Sequence, residues 1–313
     1  MNSSKIHITV CICTYKRPQF LINLLDHLQN QVTNDLFTYS ILIIDNDPKL
    51  SAKDLVDQYI KKSEIFIKYL NEKINGISHA RNKAINNAEG NLLAFIDDDE
   101  YPTNMWLLYL YNTLIKFKAD AVLGAVNAQF NQTPPKWVIK SKLFERPCLK
   151  SGTILSWNNT RSGNVLLKRD MFENKKNRFD PLFSQTGGED KELFYRLIEQ
   201  NFIFVWCQEA IVYEIIPQER WDVPFLLKRA LMRGRGSRNY PTFKNRNIIK
   251  SLFAFLLYPI IILYSILFFQ KHLLIKFLIK YCDHTGRLFA IFGFKILEKR
   301  NYYFEKGDKI DDK

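Results

Sequence analysis

The sequence predicts an α/β protein: a mostly parallel sheet flanked by helices, followed by a C-terminal helical segment associated with a membrane. Strand and helix patterns alternate over about the first 130 residues, the signature of a sheet built through crossover helices. Polar clusters fall at three of the strand ends, at Thr14–Arg17, at 45–47 and at 97–100. Far downstream, residues 251–269 form nineteen positions without a charge, close to the roughly 20 that a spanning helix needs.

Residues 6–13 are rich in β-formers and break at Tyr15-Lys16-Arg17-Pro18. Pro18 suits a first helical turn, and Phe20, Leu21, Leu24, Leu25 and Leu28 then recur at helical spacing. Strands are expected over 39–44 and 65–70, with helices over 52–61 and 77–87. The apolar run 92–96 fits a central strand, and it stops in four acids, Asp97 to Glu100. A helix over 104–118 and a strand over 121–126 follow. After Asn131 the pattern loosens around Pro134, Pro135 and Pro147, which indicates loops over the sheet. Order returns with a strand at 164–168, a helix at 189–201 and a strand at 202–207. The expected domains are 1–235 for the catalytic part, 236–300 for basic and apolar membrane-associating helices, and 301–313 for a polar tail.

The net charge is +13, and its position is informative. Between Val223 and Cys282 there is no Asp or Glu, whereas eleven Lys and Arg residues occur there. Cations flanking an apolar run point to an anionic membrane surface, not to nucleic acid, whose readers interleave cations with exposed aromatics. Basic residues lie on both sides of 251–269, including Lys295, Lys299 and Arg300 beyond it. A single span would place one basic cluster outside, against the positive-inside bias. A re-entrant or in-plane helix pair is therefore favoured over a span or a buried core helix. Five scattered cysteines form neither a disulfide framework nor a zinc spacing, and the N-terminus carries no secretory signal pattern, so a cytoplasmic catalytic part is expected.

Three clusters carry candidate chemistry. Asp97, Asp98, Asp99 and Glu100 repel one another unless something positive compensates them. Hard Mg2+ or Mn2+, which takes carboxylate and phosphate oxygens, would do so; the plainer reading is a solvated turn capping the next helix. Gly187-Gly188-Glu189-Asp190 combines glycines, which allow close approach to a ligand, with acids opening a helix. Acids there suit the helix dipole, but one beside a substrate pocket could also act as a general base. Asn75-Gly76 and Ala80-Arg81-Asn82 form a turn into a helix whose Arg81 could meet phosphate or base. No Walker loop, no Gly-x-Gly-x-x-Gly after the first strand and no Gly-x-Ser-x-Gly elbow is present, which argues against kinase, dehydrogenase and hydrolase readings.

In order and spacing over residues 5–235, these motifs are similar to the large inverting glycosyltransferase family 2, which has the GT-A fold. The opening Val10-Cys-Ile-Cys-Thr-Tyr-Lys-Arg-Pro18 resembles the family's first strand and its uridine-contacting turn. Asp45 matches the acid that meets uracil, although Asp45-Asn46-Asp47 departs from the common Asp-Asp-Gly-Ser. Gly76 with Ala80-Arg81-Asn82 matches Gly-x-x-x-Ala-Arg-Asn, and Phe95-Ile-Asp-Asp-Asp-Glu100 matches the Asp-x-Asp strand end. Ser162-Gly-Asn-Val-Leu-Leu167, Gly-Gly-Glu-Asp190, Pro217-x-x-Arg220 and Arg229-x-x-x-Arg233-Gly234 resemble a bacterial exopolysaccharide subgroup of succinoglycan-type β-glucosyltransferases.

The resemblance implies that Thr14, Tyr15, Arg17, Asp45, Asn75, Arg81, Asp97 and Asp98 bind a nucleotide-sugar donor, expected to be UDP-linked. It implies a Mg2+ or Mn2+ ion on Asp99, an acceptor or sugar subsite at Gly163, Asn164, Gly188 and Glu189, and Asp190 as catalytic base. Arg229 and Arg233 are candidates for a diphosphate clamp. The expected partners are the donor, a saccharide or lipid-linked acceptor and an anionic membrane surface, with no nucleic acid. The expected location is the cytoplasmic face of the bacterial inner membrane, peripheral or re-entrant. A polyprenyl-phosphate sugar transferase and a non-catalytic nucleotide-sugar-binding membrane module are the alternatives.

Overall fold

A computed structural model describes residues 5–184 and 187–292. The expected tail 301–313 and the basic residues Lys295, Lys299 and Arg300 lie outside the described residues. Eight strands among the described residues form one sheet in the order β3-β2-β1-β4-β7-β6-β8-β5. They are β1 (Ile6–Thr14), β2 (Phe37–Asp45), β3 (Ile67–Asn71), β4 (Leu92–Asp97), β5 (Glu100–Pro102), β6 (Ala121–Phe130), β7 (Val165–Lys168) and β8 (Phe204–Ile216). The helices are α1 (Pro18–Leu28), α2 (Lys53–Ile60), α3 (Ile77–Asn87), α4 (Trp106–Lys116), α5 (Lys136–Ser141), α6 (Glu189–Glu199), α7 (Val223–Gly236), α8 (Asn245–Leu267) and α9 (Lys271–Ile291).

The alternation of side chains along each strand builds two apolar layers. On β1, Ile8, Val10 and Ile12 face a core shared with Leu21, Leu24 and Leu25 of α1, Val56 of α2, and Trp106 and Leu107 of α4. Cys11 faces the opposite layer, with Ala80 and Ala84 of α3 and Leu193, Phe194 and Leu197 of α6. Both faces being covered explains why these strands read as unbroken apolar runs.

β1 to β4 are mutually parallel. Beyond them the sheet is mixed: β7 runs antiparallel to β4 and β6, and β5 antiparallel to β8. The four residues of β7 read alike in either direction, so its reversal is not visible in the sequence pattern. Register brings the strand ends level, with Thr14 beside Asp45, Asp45 beside Asn71, and Cys13 beside Asp97. The chain moves outward from β1 through β2 to β3, then returns to place β4 on the other side of β1. Ligands of open α/β sheets bind outside the carboxyl ends at such a switch point.

The chain divides into two compact units. One comprises residues to Gln129, Phe144–Ser184 and Glu189–Ile215; the other comprises Phe130–Leu143, Gln185–Gly188 and the chain from Ile216 onward. Within the second unit, α8 continues through Pro259 for 23 residues and forms an antiparallel pair with α9. Their rings meet at Phe255–Tyr281 (5.2 Å) and Tyr258–Phe277 (5.4 Å). Two glycines let α7 and α9 touch: a Cβ on Gly234 would stand 1.9 Å from the Asp283 carbonyl oxygen, and one on Gly286 would stand 2.1 Å from that of Leu231. Among the described residues, α8 is the one helix long and apolar enough to cross a membrane.

Candidate active site

The site lies at the ends of β1 and β4, and its acids are held by arginines. Thr14, the last residue of β1, donates its hydroxyl to Asp98 Oδ2 at 2.8 Å. The chain then turns sharply through Lys16, a non-glycine residue in the left-handed region at φ 53°. That turn delivers Arg17 ahead of α1, where Pro18 occupies the first helical position. The Arg17 guanidinium reaches Asp98 Oδ1 at 3.3 Å and Asp99 Oδ2 at 3.1 Å. Tyr15 sits between them in sequence, with Lys16 Nζ 5.6 Å from its ring centroid.

Asp45 is wholly enclosed. Its Oδ1 accepts the Asp47 amide at 2.9 Å, and its Oδ2 accepts the Ala52 amide at 3.1 Å and the Tyr69 hydroxyl at 2.7 Å. Next to it, Asn46 ties down the loop that leads to α3. Its Nδ2 donates to the Glu72 and Ile74 carbonyls at 2.9 and 2.7 Å, and its Oδ1 accepts the Gly76 amide at 2.8 Å. Gly76, at φ 140°, lies against Ser184, where a Cβ would stand 2.7 Å from the Ser184 Cβ. Asn75 lies exposed on this loop and makes no side-chain hydrogen bond among the described residues.

α3 carries Arg81 into the centre of the site. The guanidinium is buried, 5.5 Å over the Phe179 ring, and bridges two acids: Glu189 Oε1 at 2.5 Å and Asp97 Oδ1 at 3.2 Å. One side chain thus joins the end of β4 to the start of α6. Asp190 follows Glu189 on the first turn of α6, and its Oδ1 accepts the Lys191 amide at 2.8 Å. Gly187 and Gly188, at φ 73° and 97°, make the turn that precedes α6. At Gly188 a Cβ would collide with the Tyr240 hydroxyl, 1.7 Å away.

The acidic turn is not a solvated cap. Glu100 begins β5, and its partner across the ladder is Glu214 of β8. Like charges directly opposite each other on adjacent strands destabilise a sheet. Arg146 answers this by pairing with Glu214. Burial, then repulsion from Asp97, pushes the Glu100 carboxyl well above the usual carboxylate range. Burial also lifts Asp98, to about 6, against the pull of Arg17. Gly163 fits directly onto this cluster, since a Cβ there would stand 2.9 Å from Asp97 Oδ2 and 3.0 Å from Glu100 Oε1. Asn164 turns the other way, into the core. Its Nδ2 donates to the Ala125 and Ala210 carbonyls at 2.8 Å each, and its Oδ1 accepts the Trp106 indole N–H at 2.7 Å.

The structure therefore gathers Thr14, Arg17, Arg81, Asp97, Asp98, Asp99, Gly163 and Glu189 into one network, with Asp190 beside it. Asp45 and Asn164 are committed to internal hydrogen bonds. Arg229 and Arg233 belong to α7 in the second unit; Arg229 is exposed, and Arg233 pairs with Asp283 of α9 at 2.8 Å. Sequence reasoning missed Arg146, Arg161 and Glu214. Glu214 lies in the half of β8 beyond the predicted strand, and the two arginines lie in loops without periodicity.

Among the described residues no group of three or more His, Cys, Asp or Glu side chains is arranged to hold a metal ion. Mg2+ usually takes one or two carboxylates plus substrate phosphates, so a preformed cage is not required. Burial is the first cause of the raised Asp98 and Glu100 carboxyls, and repulsion from neighbouring acids adds to it. Oxygen donors alone, at the switch point, suit Mg2+ or Mn2+.

The profile of glycosyl transferase family 2 matches residues 9–175. The succinoglycan biosynthesis protein ExoM of Rhizobium meliloti (strain 1021) is 31% identical over 239 residues, 75% of each chain. The solved structure of the mannosyltransferase PcManGT from Pyrobaculum calidifontis, in complex with GDP-Man and Mn2+, superposes with a TM-score of 0.56 at 13% identity, covering 92% of this chain and 74% of that one. S. aureus TarS 1-349 in complex with UDP-GlcNAc superposes with a TM-score of 0.53 at 15% identity, covering 79% and 71%. With its strand-end acids, its Arg81 bridge and these likenesses, the chain belongs to glycosyl transferase family 2 and has the GT-A fold.

Proposed function

We propose that this enzyme transfers a sugar, with inversion, from a UDP-linked donor to a saccharide or lipid-linked saccharide acceptor in bacterial surface polysaccharide synthesis. The observation that carries the reading is the Arg81 bridge, which holds the donor-side Asp97 and the α6 acid Glu189 on one buried guanidinium. Glu189 in turn fixes the first turn of α6, from which Asp190 is presented.

In this reading Thr14, Tyr15, Arg17, Asp45 and Asn75 surround the nucleoside half, and Arg81, Asp97 and Asp98 secure its approach to the strand ends. Asp190 takes the proton of the acceptor hydroxyl as that oxygen attacks the anomeric carbon. Gly163 and Glu189 shape the space in which the two sugars meet. Asp99 would hold Mg2+ or Mn2+ together with the donor diphosphate, and the ion would offset the charge that develops on the departing nucleoside diphosphate. Until then Arg17 pairs with both Asp98 and Asp99. Arg229 and Arg233 remain candidates for phosphate binding from α7.

The exposed side chains Phe253, Leu256, Leu257, Ile260, Leu263 and Leu267 support a membrane-facing role for α8, with cations at 244–250 and 271–280 for anionic headgroups. The cytoplasmic face of the inner membrane, with α8 and α9 in-plane or re-entrant, is the corresponding location.

The test is thermal unfolding with UDP, GDP and UDP-sugars, each with and without Mn2+. UDP with Mn2+ is expected to stabilise the protein by about 2–3 kcal/mol at a hundredfold excess over Kd. No shift with any nucleotide would contradict the donor reading.

A further inference from the structure

Four arginines surround the acidic network, and three are committed to carboxylates: Arg17 to Asp98 and Asp99, Arg81 to Asp97 and Glu189, and Arg146 to Glu214. Arg161 is the exception. It is largely buried, yet among the described residues its guanidinium makes no hydrogen bond and no ion pair, and its Nε is fully enclosed. It lies 5.8 Å over the ring of Trp206, a buried residue of β8. The Trp206 indole N–H is a second enclosed donor without an acceptor. Buried donors are almost always paired, and here two lie in contact with nothing to receive either.

The surroundings indicate which substrate they serve. Asp190, Glu100 and Glu214 attract the Arg161 charge without pairing with it, and Arg146 repels it. Burial followed by that repulsion pushes the Arg161 guanidinium down to about 10, so a negative group placed between the two arginines would relieve both penalties. None of Thr14, Arg17 and Asp45, the nucleoside-side residues, is among these neighbours. A guanidinium's planar donors match carboxylate and phosphate oxygens.

We infer that Arg161 and the Trp206 indole N–H receive an oxyanion carried by the acceptor, making the enzyme selective for a carboxylate- or phosphate-bearing saccharide. The inference rests on the proposed reading in which the acceptor meets Asp190. Arg161 is then a specificity residue, binding a part of the acceptor that does not react.

The test uses the full chain saturated with UDP and Mn2+, with thermal unfolding read at constant ionic strength against glucose, glucuronate and glucose 6-phosphate. Glucuronate or glucose 6-phosphate is expected to raise Tm about 2 °C or more above glucose. The one that does so identifies the oxyanion as carboxylate or phosphate. Arg161→Gln should abolish that difference while keeping the shift given by UDP and Mn2+, which also shows that the variant folds. Arg161→Lys should retain part of it, and Trp206→Phe, which keeps the ring and loses the N–H, should weaken it. Equal shifts from all three sugars, or an anion preference that survives Arg161→Gln, would overturn the inference. An Arg161-dependent preference for UDP-glucuronate over UDP-glucose would move the oxyanion to the donor and overturn the acceptor assignment. Absence of any shift with UDP and Mn2+ in the wild type would instead defeat the donor reading itself.

Discussion

Arg81 shows how one side chain can tie stability to chemistry. Its ion pair with Glu189 is enclosed, so removing the guanidinium takes a buried cationic partner from that carboxylate, a loss on the order of 3–5 kcal/mol. Urea unfolding of Arg81→Gln should report a loss of that size, and a change below about 1 kcal/mol would mean that the bridge is not formed in solution. Asp98 makes a pH prediction. Its folded carboxyl, near 6, is raised above its ordinary value of 3.8, so the stability linked to its proton is full below about pH 4 and is lost as pH rises through 6. Between pH 4 and 7 the metal-free protein should therefore lose this contribution as pH rises, and Asp98→Asn should lack that component of the slope. An identical pH profile for variant and wild type would refute the assignment. Most of these residues were legible in the sequence because they sit at strand ends, where the β pattern stops abruptly. Arg161 was not, because its burial is decided by Trp206, 45 positions away along the chain.

At the scale of elements, the parallel strands and their helices followed from periodicity, and α3 was read with the bounds it has. β5 was not foreseen. Three residues of Glu-Tyr-Pro carry no β signal of their own; they pair because β8 continues past the apolar run 202–207 to Ile216 and offers them a ladder. The antiparallel half of the sheet was hidden because a short strand reads alike whichever way it runs. α7 and α9 depend on two glycines for which helix propensity provides no motive. Gly286→Val would drive its Cβ into the Leu231 carbonyl oxygen, and a loss of about 1–3 kcal/mol is expected from overpacking. Helical content and urea midpoint measured in detergent would check it, and an unchanged midpoint would show that the helices do not approach so closely.

Across the whole molecule, charge and hydropathy are divided along the chain: acids at the sheet's switch point, cations around an apolar helix. The second pattern predicts binding to vesicles containing anionic lipid and weaker binding as salt rises. Leu256→Glu with Leu263→Glu should release the protein from vesicles while leaving the UDP-induced thermal shift intact, and undiminished sedimentation with vesicles would count against α8 as the contact. In the proposed reading the first pattern divides donor holding, by Asp97 to Asp99 and the arginines, from bond making, by Asp190. Loss of a general base costs about 10²–10⁴ in rate. The decisive measurement is sugar transfer by Asp190→Asn alongside its affinity for UDP with Mn2+: transfer should fall by at least about a hundredfold with affinity nearly unchanged, whereas retained turnover, or affinity lost together with turnover, would contradict the division.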